Sequence, residues 1–229
     1  MHDSAKENPG RRSMKKNLYS LILSDDVINE VDILAHQAGT SRSNMVNQIL
    51  AEYCSVVTPE QRISDIFQAI ENILAPSREL VPFFVPNALT MSLKSSLQYK
   101  YRPTVKYEVG LDRSGGDTLG ELTVVFRTQS SELIARMTDF FRLWKRIEDC
   151  HLAPHLETLQ DYALYDTRFV RSIAMPRGRD LSSEDIAQAI SDYIQLFDRL
   201  LKGYLAGSLS ARDVESQYVE DLASRKILI

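Results

Sequence analysis

Residues 15–50 read KKNLYSLILSDDVINEVDILAHQAGTSRSNMVNQIL, and the fold of the first part of the chain turns on them. Tyr19, Leu21 and Leu23 alternate with Leu18, Ser20 and Ile22 at the two-residue period of a strand, so the first set is expected to face inward and the second outward. Ser24 then stands as an N-cap, with Asp25 and Asp26 in the first helical turn, where carboxylates complement the positive end of the helix dipole. Val27, Ile28, Val31, Leu34 and Ala35 form an apolar stripe that stops before Gly39. Ser41 opens a second helix, with Met45, Val46, Ile49, Leu50 and Tyr53 on one face.

On the N-terminal side, residues 1–14 contain Asn8-Pro9-Gly10 and little to bury, and read as a mobile basic arm. On the other side, Thr58-Pro59-Glu60-Gln61 supplies a cap, a proline for the first helical position and a glutamine three residues on, so 58–76 reads as a connecting helix that Pro76 ends. Residues 77–87, with Pro82 and Pro86, read as an irregular connector into a second domain, 77–229. There 90–102, 104–111 and 119–127 are β-branched and aromatic, with a turn at Arg113-Ser114-Gly115-Gly116-Asp117 making a hairpin of the last two. Ser130 and Ser131 can cap a long helix whose Leu133, Met137, Phe140, Trp144 and Ile147 recur at spacings of three and four. A further strand is expected at 168–175. Ser182 and Asp185 make a capping box before a helix striped by Ile186, Ile190, Tyr193, Phe197, Leu200 and Tyr204, which Gly207 ends, and a last helix covers 211–223. The fold class is α+β.

The whole chain has 229 residues, 44% of them hydrophobic and 25% charged, enough for a substantial core and outside the disordered and low-complexity classes. With 27 basic and 31 acidic side chains the formal charge is −4, so any contact with nucleic acid must be local. The apolar runs 18–23 and 80–85 stop far short of the roughly 20 residues that span a bilayer, so no membrane contact is expected. Two cysteines, Cys54 and Cys150, suit a reducing, cytoplasmic setting.

The strand, the Ser24 boundary, the Gly39 break and the Ser41-Arg42-Ser43 opening of the second helix occur together without a gap, and in this residues 15–53, within a first domain expected over 15–56, resemble the ribbon-helix-helix DNA-binding family of the Arc, MetJ and CopG type. The resemblance implies an obligate homodimer in which one strand from each chain pairs into an antiparallel ribbon that enters the major groove of double-stranded DNA. Elementary packing points the same way, because one strand and two short helices cannot close a core around Tyr19, Leu21 and Leu23 within a single chain. In this family the start of the second helix grips a phosphate, which here assigns Ser41, Arg42, Ser43 and Asn44 to the backbone. Arg11, Arg12, Lys15 and Lys16 would add flanking phosphate contacts, and Leu18, Ser20 and Ile22 would face the bases. One departure stands out: the family places polar side chains on that outward face, whereas here only Ser20 can hydrogen-bond, with Leu18 and Ile22 limited to apolar contacts such as thymine methyls.

The second domain carries little catalytic vocabulary. Gly115-Gly116 sits in a hairpin turn rather than a phosphate loop, and no nucleophile, base and orienting acid stand in a recognisable order, so no enzyme activity and no cofactor are expected. Cys150, His151 and His155 are interrupted by Pro154 and lack a second ligand pair, so no metal is expected either. Lys94, Lys100, Arg102 and Lys106, interleaved with Tyr99, Tyr101 and Tyr107, could form a basic aromatic surface for single strands or simply the two faces of a sheet. The two helical stripes could be core, or could pair subunits into a higher homo-oligomer. The expectation is a DNA-binding transcriptional regulator, a repressor by operator occupancy, whose residues 77–229 serve oligomerisation, a small-molecule effector or a protein partner. The alternatives are a plasmid or phage maintenance protein, of the partition or conjugation accessory kind, and a protein–protein module in which the small unit only dimerises.

Overall fold

A computed structural model describes residues 18–77, 79–84, 89–97, 103–113, 116, 118–175 and 181–229. The chain divides into two compact units, one ending at Pro59 and one running from Glu60 to Ile229 apart from the turn at 113–115. The architecture is α+β, with six α-helices and one six-stranded sheet among the described residues.

The first unit consists of α1, Asp25–Gln37, and α2, Arg42–Tyr53. Ser24 holds the N-cap position of α1 with extended dihedrals, but its hydroxyl makes no capping bond, which leaves Asp25 and Asp26 to complement the helix start. Gly39 takes the left-handed conformation that ends α1, at φ +60°. Ser41 Oγ accepts the Asn44 N–H at 3.3 Å and caps α2. Val31, Ala35 and Met45, flanked by the half-buried Val46, are the buried apolar contacts of this unit.

The second unit begins with α3, Pro59–Leu74, followed by β1, Leu80–Phe84, β2, Thr90–Ser96, β3, Thr104–Leu111, and β4, Thr118–Phe126. Then come α4, Ser131–His151, β5, Tyr162–Tyr165, β6, Arg168–Ala174, α5, Ser183–Ala206, and α6, Ala211–Ser224. The strands lie in the order β1-β2-β3-β4-β6-β5, every neighbouring pair antiparallel. Alternate residues such as Leu93, Val105, Tyr107, Val124, Phe126 and Phe169 turn one face of the sheet into the core, and α3, α4, α5 and α6 close it. Phe197 of α5 sits at the centre of an aromatic cluster, with ring centroids 4.6 Å from Trp144, 5.4 Å from Phe140 and 6.0 Å from Tyr107.

Three expectations change. The helix at 58–76 is not a connector, because Ile63, Phe67, Ile70 and Leu74 are buried in the core of the second unit. The segment 77–87 contains a strand, β1, which accommodates Pro82 because β1 is at the sheet edge, where a missing N–H breaks no interior ladder. The stripes Leu133–Ile147 and Ile186–Tyr204 are interior to their own chain, with Met137, Phe140, Trp144, Ile190 and Phe197 essentially closed to solvent and Tyr204 half-buried against the same core, so they are not free to pair subunits. Gly120 sits at a register shift in β4 with φ +150°, its backbone packed so close to Gly110 that an added Cβ would collide with the Gly110 carbonyl oxygen.

Candidate nucleic-acid interface

Residues 18–24 lead into α1 and form neither strand nor helix, so the strand expected there is not made within the single chain, where no described segment pairs with it. Their exposure nevertheless divides by parity. Leu18 and Ile22 stand fully in solvent, whereas Tyr19, Leu21 and Leu23 fall from 78% through 60% to 38%. Ser20 is exposed with the first set. The helices add more uncovered apolar surface: Val27, Leu34, Ile49, Leu50 and Tyr53, all on the stripes read from the sequence, are exposed in the single chain. Of those two stripes only Val31, Ala35 and Met45 are buried.

Arg42, at the first position of α2, does not extend freely toward solvent. Its Nε donates to Asp32 Oδ1 at 2.6 Å and its Nη2 to Asp32 Oδ2 at 2.5 Å, a two-pronged pair across the turn between α1 and α2. The hydrogen bonds from Arg42 hold the Asp32 carboxyl below its ordinary pKa, and those same bonds lift the Arg42 guanidinium above its own. The bond from Asn44 occupies the Ser41 hydroxyl, while the first-turn N–H groups of α2, with no earlier helical carbonyl to bond, point along the helix axis toward the space an anion would take. Ser41, Arg42 and Ser43 are exposed and Asn44 is half-buried, so the structure brings these four together at one helix start. Arg11, Arg12, Lys15 and Lys16, with the arm to which the first two belong, lie outside the described residues.

The second unit holds a polar centre that the sequence reading passed over. Glu148 of α4 and Arg171 of β6 pair at 3.1 Å with neither side chain open to solvent. Tyr162 and Tyr218 donate to the Glu148 carboxylate at 2.9 and 3.4 Å, and Arg171 donates to the backbone oxygen of Ile229. Arg171 Nη1 has no hydrogen-bond partner among the described residues, and its guanidinium lies over the Tyr193 ring, 4.3 Å from the centroid, so the ring face replaces part of the missing hydration. Burial opposes the Arg171 charge, but Glu148 together with Tyr193, Tyr162 and Tyr218 more than offsets this and leaves the pKa above its ordinary value. Burial also pushes up the hydroxyls of Tyr162, Tyr193 and Tyr218, and Glu148 adds to each. A signal was present, because Phe169, Arg171 and Ile173 share one strand face and Glu148 continues the α4 stripe four residues after Trp144.

Tyr107 is fully buried and donates to Asp198 at 2.8 Å, while Lys94 and Lys106 lie on the opposite sheet face, so the three do not form an aromatic basic surface. Tyr99, Lys100, Tyr101 and Arg102 lie outside the described residues. A groove of about 820 Å³ runs along α5 and α6, and of its charged lining residues Arg225 pairs with Asp221, and Asp198 with Lys202 from outside the groove. His151 pairs with Glu215 at 2.9 Å, and Cys54 and Cys150 are free thiols on the surface. Among the described residues no group of three His, Cys, Asp or Glu side chains is placed to hold a metal ion, and no helix is long and apolar enough to cross a membrane. Compared with family models, curated proteins and solved structures, the chain has no match.

Proposed function

We propose that residues 15–53 form a ribbon-helix-helix unit that pairs with a second copy and binds double-stranded DNA, and that the protein acts as a transcriptional regulator by occupying an operator. The observation that carries this reading is the amount of apolar surface left open in a very small unit. Leu21 and Leu23 before α1, Val27 and Leu34 on α1, and Ile49 and Leu50 on α2 all stay exposed in the single chain, and residues 18–24 pair with no described strand. Apolar surface concentrated in this way marks an association site, and an unpaired strand supplies its own template for joining an identical strand. Pairing two such segments antiparallel would cover Tyr19, Leu21 and Leu23 between the chains and leave Leu18, Ser20 and Ile22 on the outside. The α2 start, with Ser41 and Ser43, would then lie beside the backbone of the duplex.

The test is sedimentation of the full chain and of Leu21→Asp at micromolar concentration, followed by retention of genomic duplex fragments at physiological salt. The expected result is a dimer that retains a defined set of fragments and a variant that has neither property. A monomeric, folded wild-type chain would overturn the dimer, and a dimer that retains no DNA would leave the small unit as a dimerisation module only. That second reading is favoured by one observation, the fully exposed Leu18 and Ile22 on the face that would meet the bases.

A further inference from the structure

Arg42 stands in an unusual place for a cation. It is the first residue of α2, where the helix dipole is positive and acidic side chains are preferred, and the first turn of α2 has no acidic residue to compensate. The compensation comes from α1, where Asp32 takes the guanidinium by Nε and Nη2 at 2.6 and 2.5 Å. Both side chains are about half exposed, and an ion pair so open to water adds little to folding. Its geometry, however, is the two-pronged fork by which arginine also takes a phosphate group. A carboxylate seated in that fork therefore occupies the same donors that a phosphodiester would use.

We propose that Asp32 is an internal competitor for Arg42: DNA phosphate and the Asp32 carboxylate exclude one another at the guanidinium, and this exchange lowers affinity for all sequences alike and leaves discrimination to the ribbon. The inference rests on the DNA-binding reading above and gives a role to Asp32, to which the resemblance of 15–53 assigns none. The exchange is of hydrogen bonds only. On docking, Arg42 Nε and Nη2 leave Asp32 Oδ1 and Oδ2 and donate to phosphate oxygens, while Asp32 turns to water, which its exposure allows.

The experiment measures binding of the full chain to a random-sequence duplex of about 30 base pairs between about 50 and about 200 mM salt, for wild type, Asp32→Asn, Arg42→Ala and the double variant. Removing any carboxylate near DNA tightens binding somewhat, so the comparison between backgrounds decides. With Arg42 present, Asp32→Asn is expected to tighten binding about tenfold, roughly threefold for each of the two exposed pairs that a dimer would release, and with Ala at 42 by less than about threefold in all. Asp32→Glu, which keeps the charge, should bind as wild type does, and circular dichroism should show every variant folded. An equal gain in both backgrounds reduces the effect to general charge and overturns the competition; so does no gain at all. If neither wild type nor Asp32→Asn binds at the lowest salt, the DNA-binding reading fails and this one falls with it. Wild-type binding with no dependence on the residue at 42 removes this inference alone.

Discussion

Glu148 Oε2 accepts from Arg171 Nε at 3.1 Å, and neither side chain reaches solvent. The pair ties α4 to β6, and through Tyr162, Tyr218 and the Ile229 backbone it also reaches β5, α6 and the final residue. Removing one partner strands the other charge in the interior, so Glu148→Ala is expected to destabilise the second unit by about 3–5 kcal/mol. Replacing both by apolar residues, Glu148→Leu with Arg171→Met, should recover most of that stability. Urea unfolding of the two proteins decides. A single variant within about 1 kcal/mol of wild type would show that the pair is relaxed by water.

Alkaline titration offers an independent check on the same interior. Tyr107, Tyr162, Tyr193 and Tyr218 all have hydroxyls pushed up by burial, Tyr107 further by Asp198 and the others by Glu148. Their unfolded counterparts lose the proton near pH 10.0, so above that pH the unfolded chain binds fewer protons than the folded one. The stabilisation is complete below that pH and declines as pH rises toward the folded pKa values. Phenolate absorbance should therefore show four of the ten tyrosines silent until the protein unfolds. All ten titrating together in a reversible step, with circular dichroism unchanged, would contradict the buried placement.

Gly120→Ala should be among the most damaging single-methyl changes available. The new Cβ would meet backbone rather than a flexible side-chain end, and at φ +150° an L-residue is strained as well. A destabilisation of about 3 kcal/mol or more is expected. Gly207→Ala is the control: its φ is +75°, but its Cβ would enter open space, so the change should cost only about 1 kcal/mol. Thermal melts that rank the two the other way would sink the close-approach account of Gly120.

Deleting residues 1–12 removes Arg11 and Arg12 while keeping Lys15 and Lys16. For every phosphate that the shortened arm no longer neutralises, the slope of log affinity against log salt should flatten by about 0.9. The truncated chain should also dimerise unchanged, since none of the apolar residues at 18–53 is touched. An identical slope for both proteins would remove the arm from the interface.

Where the chain announces its own boundaries, the sequence sufficed. The capping box of Ser182 with Asp185 and the left-handed Gly207 bracket α5 because both ends are fixed by short-range hydrogen bonds. The strand at 80–84 was hidden because a proline signals a break unless the strand is known to be at an edge, which is a property of the sheet and not of the segment. The four residues of β5 were too few for a period to show. At the proposed interface, Ser41 through Asn44 were legible as a helix start, but the partner of Arg42 was not, since Asp32 lies ten residues earlier on the opposite side of a turn. Nor could spacing alone separate a buried stripe from a docking stripe; that difference lies in what the sheet covers.

The strand order also prescribes how the second unit comes together in time. β1 through β4 follow one another in space as in sequence, and β5 and β6 form a hairpin through Asp166-Thr167, so each piece can zip from a local turn on the microsecond scale of hairpins. Only the β4–β6 joint spans a distant stretch, closing over everything between Phe126 and Arg168, α4 included. Closure of that loop is the most non-local strand pairing of the sheet and is expected to limit the folding rate. Substitutions at Val124 and Phe169, which face each other across the joint, should therefore slow refolding, whereas changes confined to β1 should mainly hasten unfolding.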